Sequence, residues 1–65
     1  MQSNANLRQT QQFYTVAQIA EILDVSQRTV RRWIDSDELI AHRLGRNLRI
    51  SGGDFDTFLI RRRGL

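Results

Sequence analysis

At 65 residues the chain has room for one small domain with a modest core, and none for a catalytic cleft walled by a second layer. It has no cysteine, which excludes disulfide staples and thiolate metal sites and suits a reducing compartment. The formal net charge is +3, from ten basic and seven acidic residues. Apolar runs of at most two or three residues give no membrane span, and no charged-then-apolar leader opens the sequence.

Charge placement is more informative than its total. All ten basic residues are arginine. Positions 26–50 hold six of them against three carboxylates, while 1–25 hold one against two and 51–65 three against two. A local excess of arginine in mid-chain is the electrostatic footprint expected for a polyanion partner. Arginine also supplies a planar fork of donors that fits phosphate and guanine, where lysine supplies only a point charge.

Residues 1–12 (MQSNANLRQTQQ) are polar, without apolar periodicity, and read as a flexible tail; the domain is expected over 13–63. Thr15 with Gln18 three positions on is a capping-box pattern. Val16, Ile19, Ala20 and Leu23 follow at the spacing of one helical face, predicting a first helix over 16–23. Asp24-Val25 is a tight turn with Asp24 suited to the left-handed conformation, and Ser26 is an N-cap. The second helix is expected over 27–36. Val30, Trp33 and Ile34 form its core face, and Arg28 and Arg32 its opposite face, with Arg31 and Asp35 flanking them. So short a turn forces the two helices to cross steeply, with the small Ala20 allowing their approach.

The stretch 40–50 (IAHRLGRNLRI) changes period. Ile40, Leu44, Leu48 and Ile50 are all even-numbered around Gly45-Arg46-Asn47, which predicts a β-hairpin. A three-residue loop at 45–47 pairs Leu44 with Leu48, keeps all four apolar residues on one face and sets Arg43 opposite Arg49. Like charges directly opposite destabilise a hairpin, so with Arg46 at the tip this arrangement suits an anion lying among the arginines. Ser51 with Asp54 signals another cap. Phe55, Phe58 and Leu59 then line a last helix over about 52–62, whose carboxyl end is complemented by Arg61, Arg62 and Arg63 and stopped by Gly64. The fold class expected is mainly α with a two-stranded hairpin.

The segments YTVAQIAEILDVSQRTVRRWI, LIAHRLGRNLRIS and DFDTFL, in this order over 14–62, resemble the winged helix-turn-helix domains of the excisionase and MerR-like superfamily. The chain departs from that pattern in having Asp37 where relatives often have glycine, and Gly52-Gly53 where many carry proline or a basic residue. The long dimerising helix and effector domain of MerR-type regulators are absent from these residues. The resemblance implies sequence-specific binding of double-stranded DNA, with the second helix in the major groove and the wing against the adjacent backbone or minor groove. Small stand-alone members are similar to recombination directionality factors. These bind repeated sites cooperatively, bend DNA and bias a separate integrase or recombinase. Other small members are transcriptional regulators of the MerR-like kind. The partners implied are duplex DNA, a neighbouring copy on an adjacent site and an integrase or recombinase, with no membrane; the place implied is the cytoplasm, at the nucleoid. A protein-interaction module using the same fold is the competing class.

On this resemblance Gln27, Arg28, Thr29, Arg31 and Arg32 are the DNA-facing residues of the second helix. Gln27 and Arg28, near its amino end, are best placed for base edges. Arg31 and Arg32 suit bases or phosphate, and the Thr29 hydroxyl suits either DNA or the helix cap. Arg43, Arg46, Asn47 and Arg49 line the wing, with Arg46 at its tip suited to a narrow minor groove and Asn47 also a turn former. Tyr14 and Thr15 suit either phosphate or, for Tyr14, packing beside Phe13 on the core. Trp33 is read as core, and His42, the single histidine, as a half-buried wing residue. No catalytic group, metal ligand set or cofactor site is expected: the serines sit at caps and the carboxylates are dispersed.

Overall fold

The computed structural model describes residues 12–62. The tail read over 1–12 lies outside the described residues except for Gln12, and so do Arg63 and the stop at Gly64. The chain forms strand β1 (Phe13–Tyr14), helix α1 (Val16–Leu23), helix α2 (Gln27–Asp35), strands β2 (His42–Leu44) and β3 (Asn47–Ser51), and helix α3 (Gly52–Arg62). This is a winged helix-turn-helix: a helical pair, a hairpin wing and a closing helix around one core of Val16, Ile19, Ala20, Val30, Leu39, Ile50, Phe55 and Phe58.

Local chemistry sets the helix ends. The Thr15 hydroxyl accepts from the Gln18 amide at 3.0 Å, while the Gln18 side chain accepts from the Thr15 amide at 2.9 Å, so two orphan donors are satisfied reciprocally. Asp24 closes α1 in the left-handed conformation at φ 57°, and the Val25 amide reaches back to the Ala20 carbonyl at 2.9 Å. Two residues later the Ser26 hydroxyl accepts from the Thr29 amide at 3.1 Å and starts α2. That helix ends one residue short of the expected 36, with Ser36 as its C-cap. Asp37 then turns the chain at φ 64°, and the Trp33 carbonyl accepts from the amides of Glu38 and Leu39 at 2.9 and 3.2 Å.

The hairpin differs from its expected register. The loop is two residues, Gly45 and Arg46, and the pairs are Leu44 with Asn47, Arg43 with Leu48 and His42 with Arg49. Only the first loop residue has a positive φ, +67° at Gly45, as in the II′ turn whose twist matches that of paired strands. A one-residue slip reverses which side chains face inward. On the first arm Leu39 is buried and Ala41 packs on the core, while Ile40 and Leu44 stand 48% and 52% exposed. The second arm keeps its expected sense, with Ile50 buried and Leu48 half-buried. The slip also relieves the expected like-charge pair, because Arg43 now faces Leu48 and Arg49 faces His42.

A third strand completes the sheet in the order β1-β3-β2. It is only two residues long and pairs Phe13 with Ser51 and Tyr14 with Ile50. The Gln12 carbonyl accepts from the Gly52 amide at 2.8 Å, extending the contact into α3. Tyr14 is half-buried with its ring edge-on to Phe55 at 5.5 Å, as core packing required, whereas Phe13 is exposed and lies edge-on to His42 at 6.3 Å. Trp33 is half-buried and rests on Phe58, with ring centroids 4.9 Å apart.

The positive-φ positions Gly45 and Asp37 predict stability changes of opposite sign. A Cβ added at Gly45 meets nothing within 4 Å, so Gly45→Ala should cost about 1 kcal/mol through backbone strain alone. Asp37→Gly should instead stabilise by about 0.5 kcal/mol, since glycine carries no left-handed penalty. Urea denaturation measures both; a neutral Gly45→Ala would remove the turn from the register argument.

Candidate nucleic-acid interface

The slipped register has a consequence at the turn end of the hairpin. Leu39, Ala41 and Arg43 share the inward side of the first arm. The first is in the core and the second packs on it, but Arg43 lies beyond it, where the sheet leaves the helices. There a cleft of about 400 Å³ opens between the wing and the two helices. Thr15, Val16 and Ala17 from the start of α1, Gln27 and Arg31 from α2, and Arg43, Arg46, Asn47, Leu48 and Arg49 from the wing line it. Four of these ten residues are arginines and none is acidic.

Six of the nine residues singled out in the sequence therefore meet in one concavity: Gln27, Arg31, Arg43, Arg46, Asn47 and Arg49. Gln27 and Arg31 are one helical turn apart on the side of α2 facing the wing. Arg28 and Arg32 are exposed and also one turn apart, on the side opposite buried Val30. Neither lines the cleft. Thr29 is separated from this set: it is half-buried, and its hydroxyl lies 3.0 Å from that of Ser26, within the cap. Arg46 is exposed at the wing tip, in the turn itself. Asn47 is the first residue of β3, opposite Leu44, rather than a loop residue. The Arg49 guanidinium turns back to donate to the Leu48 carbonyl at 2.9 Å.

Sequence reasoning missed two parts of this region. Val16 and Ala17 line the cleft from α1, and only their place directly after the cap hints at it. His42 is exposed, not half-buried, and its Nε2 lies 3.2 Å from Asp54 Oδ2. That carboxylate also accepts from the Ser51 hydroxyl at 2.8 Å, while the Asp54 amide donates to Ser51 at 3.1 Å. The outer strand of the wing is thereby attached to the first turn of α3.

Among the described residues no group of histidine, cysteine or carboxylate side chains could hold a metal ion, and no helix is long and apolar enough to cross a membrane. The arrangement offers donors: guanidinium and carboxamide groups on two projections separated by a basic groove. No curated protein and no solved structure matches the chain. A family described as helix-turn-helix domain matches residues 13–63, nearly the whole described structure with its capped helical pair and arginine-bearing wing, and the chain belongs to that family of DNA-binding domains.

Proposed function

We propose that this chain is a sequence-specific binder of double-stranded DNA that acts as an excisionase-like directionality factor. The observation that carries the DNA reading is the acid-free cleft shared by α2 and the wing. A duplex surface is two grooves separated by a ridge of phosphates, and a protein surface with two projections and a basic trough is its complement. In this pose α2 enters the major groove and the hairpin tip the neighbouring minor groove, while the phosphate ridge lies in the trough.

The pose divides the work among the residues. Arg28 and Arg32, outside the trough, reach base edges. Gln27, Arg31, Arg43 and Arg49, lining it, take backbone oxygens, with Asn47 beside them. Arg46 enters the minor groove, where a narrow A/T-rich stretch concentrates negative potential. Thr29 serves the cap of α2. So few phosphate contacts give modest affinity to one copy, because counterion release scales with the number of phosphates neutralised. Adjacent sites filled by neighbouring copies offset this, and the bend such an array imposes biases a separate integrase or recombinase.

A footprint on DNA flanking the gene for this chain tests the reading directly: repeated, cooperatively filled protections are expected, and a single isolated site would contradict the directionality role. Arg28→Ala should weaken cognate binding by about 1–3 kcal/mol and relax sequence preference. Equal losses on cognate and random duplex would show that it reads no base. Arg31→Ala should instead weaken both duplexes alike and reduce the slope of log K against log salt by about 0.9. Arg46→Ala should lower affinity most on sites with a narrow minor groove; unchanged binding would take the wing tip out of the interface.

A further inference from the structure

Helix α3 touches neither the cleft nor its rim, yet each of its ends is fastened to one of the two DNA-facing elements. Its first turn follows β3 without a linker, Gly52 coming directly after Ser51. The Asp54 side chain holds both Ser51 and His42, one on each strand of the wing. Its last turn is fastened to α2. The Arg62 guanidinium lies 5.0 Å from the centroid of the Trp33 ring and 5.3 Å from that of Phe58, and its Nη1 reaches Glu38 Oε1 at 3.0 Å. Glu38 is in turn bound to the end of α2. Its Oε2 accepts from the Ser36 hydroxyl at 2.8 Å, and that hydroxyl and the Glu38 amide both contact the Trp33 carbonyl.

From this placement we infer that α3 is a strut fixing the separation of α2 and the wing, and that Arg62 and Glu38 are positioning residues for DNA recognition although neither faces DNA. The inference rests on the proposed DNA reading. A rigid duplex must be met by α2 and the wing at once, and a fixed gap lets both engage without ordering one after the other. A loosened gap leaves each projection able to bind but no longer in register with its partner. Random duplex, held through phosphates alone, is insensitive to this; cognate duplex, which needs Arg28 and Arg46 placed together, is sensitive.

Charge separates the strut from simpler explanations. Glu38→Gln removes a negative charge, so electrostatics alone raises binding to all DNA; loss of the strut lowers only the preference for cognate. The substitution is nearly isosteric and keeps an acceptor for Ser36. The experiment measures affinity for random duplex and for the duplex that the wild-type chain selects from a random pool. It compares wild type, Glu38→Gln, Arg62→Ala, Arg62→Lys and Arg61→Ala, each below its melting temperature. The expected result is a cognate-to-random ratio about fivefold lower in Glu38→Gln and Arg62→Ala, a magnitude set by a partly exposed ion pair and cation–π contact. Arg62→Lys, which keeps the cation, recovers part of the ratio. Arg61→Ala, with the same charge change as Arg62→Ala and no such contacts, leaves it unchanged. A ratio that stays at the wild-type value in both Glu38→Gln and Arg62→Ala overturns the strut alone. A wild-type chain that prefers no duplex overturns the DNA reading, and the strut with it.

Discussion

The register of the wing requires one backbone conformation, the positive φ of Gly45, and much of the rest of the molecule depends on that register. A two-residue turn opening with glycine matches the natural twist of paired strands, and it fixes Leu44 against Asn47. Everything on the first arm then follows by alternation. Leu39 enters the core and Ala41 packs on it, while Arg43 takes the same side further out. A three-residue turn reverses that order, removing Leu39 from the core and setting Arg43 opposite Arg49 instead of Leu48. The conformation that completes the hydrophobic core also sets Arg43 opposite Leu48, and both line the trough with Arg31.

The core itself is small and is assembled from all parts of the chain: two helices of the helical pair, the loop leading to the wing, one strand and the closing helix each contribute buried residues. In so small a domain few contacts are redundant. This explains why the polar connections are concentrated at element ends. Thr15, Ser26 and Ser51 each use one hydroxyl to satisfy the first turn of a helix, where four amides lack intrahelical partners. The caps also leave the middle of α2 free for arginines, which neither cap nor pack, so helix stability and the basic surface are supplied by different residues of the same segment.

Much of this was legible in the sequence because it is local. The bounds of α1 and α3, the capping box, the Ser26 cap and the left-handed Asp24 are each encoded within a few positions, and the structure has them where the spacing put them. The helix-turn-helix followed, since a three-residue connection leaves little choice of packing. The hairpin register was not legible in this way. Ile40, Leu44, Leu48 and Ile50 support an even-numbered apolar face as well as any sequence can, but the selection is non-local. Tyr14 pairs with Ile50 and pins β3, while Leu39, lying just outside the alternating stretch, competes with Ile40 for the core. Strand β1, at two residues, is too short to show a period at all. Of the candidate site, the residue types and the wing were legible; the grouping of Gln27 and Arg31 with the wing, and the withdrawal of Thr29 into the cap, needed the relative placement of two elements. The Glu38–Arg62 contact lies still further from any local signal, joining the loop after α2 to the last turn of α3.

Net charge understates what this surface presents to a partner. The chain carries seven carboxylates, yet none of them lines the trough; Asp37 and Glu38 instead border a second depression, with Phe58, Arg61 and Arg62. The separation gives the molecule a basic face and a mixed one, and a field that orients it before contact as well as attracting it. Four arginines around one groove repel each other in the free protein, and Arg49 relieves part of this by turning to a backbone carbonyl. The remaining repulsion is relieved when a polyanion occupies the groove. A uniform excess of three charges spread over the same surface lacks this property: it draws DNA from any side and favours no orientation. Orientation is what a domain with two small projections requires, because either projection alone buries too little surface to hold a duplex. The separation of charge is thus part of the proposed recognition geometry, to which the register of the hairpin contributes along with the arginines.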